Sequence, residues 1–230
     1  MKIAGFEKTV LRDWEGRNAC KVLISGCTFK CPYCNFKFIE KDSGDDIDPD
    51  AIFDYIKENK DFLDGAVISG GEPTDNVDLY KFLKELKKLG LKIKLDTNGN
   101  NPNNLDDLIG AGMVDCVCLN IMAPLSSERY SKAAGTKVDV DNIRKSIEII
   151  FDSGIENEFK TVITSDLTPE DIYSIAKDIK NAKSYIIQQF DPRNVSNTEY
   201  AQMKLCSNSE LIKMANVAKK FVKNVKIRGV

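Results

Sequence analysis

The chain has 230 residues, 42% of them hydrophobic, which is enough for one large domain with a sizeable core. Its 33 Lys and Arg residues nearly balance 35 Asp and Glu residues, and the net charge of −2 excludes a broad basic face for nucleic acid. The absence of histidine excludes Ser-His catalysis and histidine-ligated zinc, and no apolar run reaches the ~18 residues of a membrane span.

Cysteine usage indicates the compartment. The chain contains seven cysteines, an odd number, and residues 1–6 lack the pattern of a secretory signal. We therefore expect a reducing, cytoplasmic setting, with metal or redox chemistry rather than disulfides.

Short β-rich runs alternate with longer runs of helical period along the chain. Helix 79–89 is the clearest, because its leucines recur at steps of three and four before Gly90. An acidic stretch, residues 42–50, reads as an exposed loop leading to a helix cap. The predicted strands are 23–24, 66–69, 91–96, 114–121, 158–164 and 184–190, and the predicted helices are 50–59, 79–89, 105–109, 143–151, 172–179 and 211–221.

Six β–α units in this order predict an α/β fold with a parallel sheet and right-handed crossovers. A complete barrel of eight units needs ~250 residues, so we expect an incomplete (β/α)6 TIM-like barrel with its active site at the strand carboxyl ends. No repeat or linker divides the chain. We predict one domain, residues 1–230, with a lead at 1–17, a core at about 18–193 and a helical extension at 194–230.

Three thiols, Cys27, Cys31 and Cys34, fall within eight residues directly after the first predicted strand. Soft ligands this close together suit a soft metal or an iron–sulfur cluster. Cys20 lies at the far end of that strand, about five residues of ~3.3 Å away and out of reach. Either a distant cysteine completes the site, or one metal position stays open.

Glycines and polar residues follow the second and third predicted strands. Gly70 and Gly71 remove side chains, so the backbone can approach a ligand closely, and Glu72 can accept hydrogen bonds from an ammonium group. A tight turn would also explain the glycine pair. Residues 96–98 (Asp96, Thr97 and Asn98) offer acceptors suited to ribose hydroxyls, although this run is also a plain turn signal.

The last three predicted strands carry further candidates. Asn120 ends the fourth strand, and Cys116 and Cys118 share its face with core packing as their expected role. Lys160 stands mid-strand, where it either partners a carboxylate or is solvated. Gln189 lies near the end of the sixth strand. Polar groups and glycines gathered at one rim predict a pocket.

The cysteine spacing, with Gly-Gly-Glu-Pro at 70–73 and Asp-Thr-Asn-Gly at 96–99, resembles the radical S-adenosylmethionine (SAM) superfamily. Within it the chain looks most like the activating proteins of anaerobic (class III) ribonucleoside-triphosphate reductases and related glycyl-radical activases. Residues 6–16, 158–161 and 188–190 also resemble those proteins. The resemblance runs from about residue 3 to about residue 193.

The resemblance implies that Cys27, Cys31 and Cys34 hold a [4Fe–4S] cluster whose fourth iron is chelated by SAM. Reductive cleavage of SAM would give methionine and a 5′-deoxyadenosyl radical, which would take hydrogen from a glycine of a partner enzyme. A flavodoxin or ferredoxin would supply the electron. The residues implied in SAM binding are Tyr33 beside the adenine, Gly70, Gly71 and Glu72 at the amino group, and Asp96, Thr97, Asn98, Asn120, Lys160 and Gln189 elsewhere in the pocket.

The chain departs from the family pattern at several positions, and these departures bear on the substrate. Losing the usual charges on the fourth strand weakens the case for a monovalent cation there. Two alternatives to an activase remain: a radical SAM enzyme acting on a small molecule or peptide, of the 7-carboxy-7-deazaguanine synthase kind, and a non-catalytic iron–sulfur or zinc protein. The departures are Glu15 for proline, Asn35 for histidine, Asn120 and Met122 for aspartate and lysine, and Lys160 for arginine.

Overall fold

The computed structural model describes residues 1–36 and 46–229. Its strands belong to one eight-stranded sheet in which they follow chain order. They are β1 (Ile3–Val10), β2 (Ala19–Ile24), β3 (Gly65–Gly70), β4 (Lys92–Thr97), β5 (Cys116–Asn120), β6 (Glu156–Ile163), β7 (Ser184–Gln189) and β8 (Val225–Arg228).

Helices follow most of these strands, as the alternating pattern predicts. Asp48 caps the first helix by accepting a hydrogen bond from the backbone of Asp50, so the end of the acidic stretch forms the expected cap. Residues 42–45 of that stretch lie outside the described residues. The helices are α1 (Pro49–Glu58), α2 (Leu79–Lys88), α3 (Pro102–Gly110), α4 (Ser127–Ala134), α5 (Val140–Asp152), α6 (Pro169–Asp178), α7 (Thr198–Ala201) and α8 (Asn208–Ala218), with a 3₁₀ helix at Pro73–Asp75.

The sheet is mostly parallel, which confirms the predicted α/β class. β2, β3 and β4 pair in parallel, as do β6, β7 and β8, whereas β1 runs antiparallel to β2. The six predicted strands correspond to β2–β7. The structure adds β1 in the predicted lead and β8 in the extension expected to be helical. β1 was missed because consecutive polar residues, 7–9, interrupt its apolar run, and β8 because it has only four residues, two of them charged.

Backbone contacts divide the chain into two compact units. The described part of the first unit comprises residues 1–28, 46–97 and 103–117. Trp14 is buried in a cluster there with Val10, Ala19, Val67 and Cys116. The predicted core role of Cys116 is therefore confirmed, and the described part of this unit contains β1 to β4 with α1 and α2.

The described part of the second unit comprises residues 29–36, 98–102 and 118–229. Within it the Phe159 ring of β6 lies 5.5 Å from the Phe151 ring of α5, measured between centroids. Because side chains alternate along a strand, odd-numbered residues of β6 face the helices and even-numbered residues face the other way. This assignment decides which polar residues of β6–β8 lie together.

A capping box starts α6 and carries a testable pH dependence. Asp171 accepts hydrogen bonds from the Thr168 backbone and from both terminal nitrogens of Arg129, at 2.6 and 2.9 Å from the latter. Burial alone would raise the pKa of Asp171, but the hydrogen bonds and the Arg129 charge together hold it below its ordinary value of 3.8.

A folded-state pKa below the unfolded one stabilises the fold above the unfolded pKa, and the gain is lost as pH falls through the folded value. We therefore expect Asp171→Asn to lower the free energy of unfolding at neutral pH. The gap from the parent protein should narrow as pH falls below about 4. Urea unfolding at a series of pH values measures this difference in unfolding free energy. A difference that does not change with pH would contradict the lowered pKa of Asp171. Glu170→Gln, one residue earlier on the exposed side of α6, is the matched control.

Candidate active site

In the first unit, the turn after β3 is packed directly against the residue preceding Cys27. The Gly71 amide donates to the Ile24 carbonyl and the Glu72 amide to the Gly26 carbonyl, each at 2.8 Å. A Cβ atom on Gly71 would lie 1.8 Å from the Gly26 oxygen, which no side chain can tolerate. Glycine is therefore required at position 71 for this close approach, and the turn holds the chain entering the cysteine loop.

The Glu72 carboxylate is fully buried and held by protein donors. Its Oε1 accepts from the Thr74 amide at 3.1 Å, the Thr74 hydroxyl at 2.6 Å and the Thr97 hydroxyl at 2.7 Å. These bonds tie the end of β3 to the end of β4. The predicted bond from Glu72 to an ammonium group stays a prediction, and the structure adds a bracing role that the sequence did not indicate.

Removing one of these donors tests the brace. Thr97→Val preserves the shape but deprives a buried carboxylate of a hydrogen bond, and we expect it to cost about 2 kcal/mol of unfolding free energy. Urea unfolding measures the loss. Thr198→Val, at an exposed position, is the control and should change stability by only a few tenths of a kcal/mol. If Thr97→Val unfolded with the same free energy as the parent protein, the hydrogen bond from Thr97 to Glu72 would contribute nothing net to stability.

Asp96 and Thr97 are neighbours in β4 and point to opposite faces of the sheet. Asp96 Oδ2 accepts from the Ser69 hydroxyl at 3.0 Å, on the face where Lys94 Nζ donates to the Asp13 carbonyl at 2.5 Å. Asp96 is only 8% exposed. Residues 96 and 97 appear as one motif in the sequence, but the structure gives them different partners. Asp96 bonds to Ser69 on one face of the sheet, and Thr97 bonds to Glu72 on the other.

In the second unit, the cysteine loop is anchored on the end of α4. The Lys30 amide donates to the Ala134 carbonyl at 2.8 Å, and Gly135 follows in the left-handed conformation with φ of 65°. A Cβ on Gly135 would lie 2.0 Å from the Lys30 oxygen, so glycine permits this contact. The Cys34 amide donates to the Cys31 carbonyl at 3.0 Å, which turns the loop between these two thiols.

Sulfur and phenol groups surround Cys31. Its Sγ lies 3.6 Å from the Met122 Sδ. Burial, and then the nearby Cys31, Tyr130 and Cys34, raise the pKa of Tyr33 well above its usual value, so this phenol remains neutral. Burial also raises the pKa of the Cys34 thiol. A metal centre would reverse that tendency, because a thiol that coordinates a metal is deprotonated and releases its proton to solvent.

A cavity of about 120 Å³ lies beside this loop in the second unit, lined by residues that include Tyr33, Met122, Arg129, Lys132 and Tyr200. The Tyr200 hydroxyl donates to Asp166 at 2.6 Å, and the Tyr33 and Tyr200 rings are 6.3 Å apart. Ligand pockets usually measure roughly 300 Å³ or more, so this cavity could enclose only part of a nucleotide-sized ligand.

The remaining predicted residues lie at or near strand ends of the second unit. The Asn98 side-chain oxygen accepts a hydrogen bond from the Asn100 amide at 2.9 Å. This local bond is typical of a turn, the alternative that the sequence offered for residues 96–99. Asn120 and Lys160 are half-buried in β5 and β6. Gln189 is 8% exposed, and neither atom of its side-chain amide has a hydrogen-bond partner among the described residues.

Strand register distinguishes Gln189 from its neighbour. Gln189 pairs with Ile163 on the helix-facing side of β6, whereas Gln188 pairs with Val162 on the side of Lys160. The predicted site residue Gln189 therefore lies on the helix-facing side of the sheet, and its neighbour Gln188 lies on the side of Lys160. Sequence alone could not distinguish the two, because the register of the strand was not known.

The thiol chemistry fits an iron–sulfur cluster. All seven cysteines are thiols rather than disulfide halves, and Cys27, Cys31 and Cys34 are half-buried. Within residues 1–36 and 46–229, no three Cys, Asp or Glu side chains converge as on a single metal ion. A cubic cluster spreads its thiolate ligands over separate irons and does not require that convergence. None of the described helices combines the length and hydrophobicity needed to cross a membrane.

Comparison with known proteins gives consistent matches. The family model described as the radical SAM superfamily matches residues 22–187. A Methanocaldococcus jannaschii protein named "Putative glycyl-radical enzyme activating enzyme MJ1227" is 32% identical over 95% of this chain and 92% of its own length. A second protein of that organism with the same description, MJ1632, is 30% identical over 70% of this chain and 62% of its length.

Among solved structures, Streptococcus suis SuiB bound to the precursor peptide SuiA superposes with a TM-score of 0.71 at 16% identity. The match covers 91% of this chain and 48% of SuiB, so the chain spans about half of that protein. At this identity the likeness concerns the fold.

Proposed function

Because the chain belongs to the radical SAM superfamily, we propose that it activates a glycyl-radical enzyme of the anaerobic ribonucleotide reductase type. The observation that carries this proposal is the MJ1227 relative, whose similarity extends over nearly the whole of both chains. The family itself implies a [4Fe–4S] cluster and SAM. The finer activity, the partner and the residue roles below belong to the proposal.

The cluster would be held by Cys27, Cys31 and Cys34. Glycine packing supports the chain before Cys27, and the α4 contact supports the loop around Cys31, so each thiol is carried by an anchored backbone. Three thiolates leave one iron for a ligand other than protein, which a catalytic centre requires.

SAM would lie over the strand ends. The turn at Gly70 and Gly71 would lie near its amino end, with Glu72 held by hydrogen bonds behind it, and Asp96 offers a buried acceptor. Tyr33 would lie beside the adenine, with Thr97, Asn98, Asn120 and Lys160 completing the predicted contacts, whereas Gln189 lies on the face of the sheet opposite Lys160. The protein's contribution is binding, orientation and exclusion of water.

A [4Fe–4S] cluster held by Cys27, Cys31 and Cys34 would, when bound and reduced, pass one electron to the sulfonium of SAM and so break its bond to C5′, giving methionine and a 5′-deoxyadenosyl radical. Hydrogen transfer from a backbone glycine of the partner would then give 5′-deoxyadenosine and a glycyl radical. The electron would come from a reduced flavodoxin or ferredoxin. In this proposal the chain would act in the cytoplasm, with residues 1–230 as one radical SAM domain.

The second candidate is a radical SAM enzyme acting on a small molecule or peptide. It is favoured by Met122, whose thioether contacts Cys31 where related activases carry a lysine. Replacing a charge by a thioether changes the surroundings of the pocket, and with them the substrates it suits.

Anaerobic assay separates these candidates. Reduced, reconstituted protein is incubated with SAM and a candidate reductase, then examined for 5′-deoxyadenosine and for the electron paramagnetic resonance doublet of a glycyl radical. We expect both products, and the doublet should vanish when the reductase's radical-bearing glycine is changed to alanine. Formation of 5′-deoxyadenosine without a doublet on any tested reductase would favour the second candidate.

A further inference from the structure

Tyr200 lies in the short helix α7, within the part of the chain after residue 193 that the family resemblance does not reach. No sequence motif pointed to it, yet its side chain is buried, with only 9% of the residue exposed. The Asn197 side chain caps α7 by accepting hydrogen bonds from the Glu199 and Tyr200 amides, at 3.0 and 3.2 Å. The cap fixes the backbone that carries the Tyr200 ring.

The Tyr200 ring packs against two other rings of the second unit. Its centroid lies 6.3 Å from that of Tyr33, with the planes tilted by 44°, and 6.4 Å from that of Phe190, with the planes perpendicular. Aromatic pairs at these separations attract one another. Phe190 directly follows β7, so Tyr200 connects the end of that strand to the cysteine loop.

The Tyr200 hydroxyl fixes the polar end of the same side chain. It donates to the Asp166 carboxylate at 2.6 Å, a length typical of a charge-assisted hydrogen bond. Burial, and then the bond to Asp166, raise the pKa of Tyr200 above its usual value, so the phenol keeps the proton that it donates. Packing at the ring and a hydrogen bond at the hydroxyl therefore hold Tyr200 in one orientation.

We propose that Tyr200 is a positioning residue, whose ring holds Tyr33 in the orientation in which Tyr33 meets the adenine of SAM. Both tyrosines and Asp166 line the cavity of about 120 Å³ beside the cysteine loop, so the ring that would meet adenine is supported from α7. This inference rests on the SAM-binding part of the proposed function. It does not depend on which substrate gives up the hydrogen atom.

Ligand binding to the reconstituted, oxidised protein tests the proposal without turnover and without a partner enzyme. Anaerobic equilibrium dialysis measures the affinity for SAM and for methionine, which lacks the adenosyl group. We expect Tyr200→Leu to bind SAM about tenfold more weakly, the upper range for loss of one aromatic contact, and to bind methionine as the parent protein does. Tyr200→Phe keeps the ring and should stay within about threefold of the parent affinity for SAM. Iron content shows whether each variant has folded around its cluster.

The matched control is Tyr173→Leu in α6, which removes a tyrosine ring that lies 4.9 Å from the Phe221 ring and should leave the affinity for SAM unchanged. Unchanged SAM affinity in Tyr200→Leu would overturn the inference. An equal loss of methionine affinity, or loss of bound iron, would also overturn it, because Tyr200 would then support the loop as a whole. A parent protein that binds no SAM would refute the proposed function too, whereas one that binds SAM but forms no glycyl radical would refute only the activase proposal.

Discussion

Cys31→Ala is expected to reduce bound iron to background after anaerobic reconstitution and to abolish formation of 5′-deoxyadenosine. With only three thiols in the loop, losing one leaves two ligands, and an iron–sulfur cluster bound by two cysteines is not retained. Cys31 also contacts Met122 and lies at the centre of the anchored loop, so its loss removes a ligand held in place by the fold. Iron analysis and the visible absorption of the cluster measure the first effect, and chromatography measures the second.

Cys206→Ala is the matched control for this prediction. Cys206 is half-buried, its Sγ lies 4.0 Å from the Thr164 carbonyl oxygen, and burial with the nearby Glu210 raises the pKa of its thiol. We expect the variant to keep full iron content and SAM cleavage. If it lost the cluster while Cys31→Ala retained one, the assignment of the three ligands would be wrong.

Gly71→Ala is expected to lower the free energy of unfolding by about 3 kcal/mol, or to prevent folding. The added methyl group would lie 1.8 Å from the Gly26 carbonyl oxygen, a backbone atom that cannot rotate away. Relief requires moving Gly26, and this would break the hydrogen bonds from Gly71 to Ile24 and from Glu72 to Gly26. Where the variant folds, Cys27 is displaced with Gly26, so cluster retention should fall as well.

Gly110→Ala controls for the change of residue type. Gly110 ends α3, is exposed, and an added Cβ would meet no atom within 4 Å. Alanine favours helix by ~1 kcal/mol over glycine, so this variant should be neutral or slightly more stable. Urea unfolding of both variants and iron analysis of Gly71→Ala provide the measurements. A stable Gly71→Ala protein with full iron content would show that the turn after β3 does not constrain the cysteine loop.

The local sequence pattern was sufficient to predict those strands and helices whose hydrophobic pattern lies within one segment. β3 is buried and largely apolar, β4 alternates Ile93 and Leu95 with polar residues, and α2 shows a helical period, so each was predicted near its observed bounds. β1 was missed because three consecutive polar residues, 7–9, interrupt its apolar run, and β8 because it has only four residues, two of them charged. Both gain stability from pairing with a neighbour.

Pairing and packing likewise decided roles within the site. A plain reading treats Asp96 and Thr97 as one motif, but strand alternation sends them to opposite faces, where they meet Ser69 and Glu72 respectively. Gln188 and Gln189 differ in the same way, because register with Val162 or Ile163 sets the face of each.

By itself, the sequence determined the α/β class, the cysteine loop and the glycine turn, because each depends on residue type and spacing over a few positions. Tertiary structure alone decided that Glu72 is bonded to both β3 and β4 neighbours and that Gly71 packs against Gly26. Those outcomes depend on contacts between residues far apart in the chain, and no local pattern encodes the register or packing that brings them together.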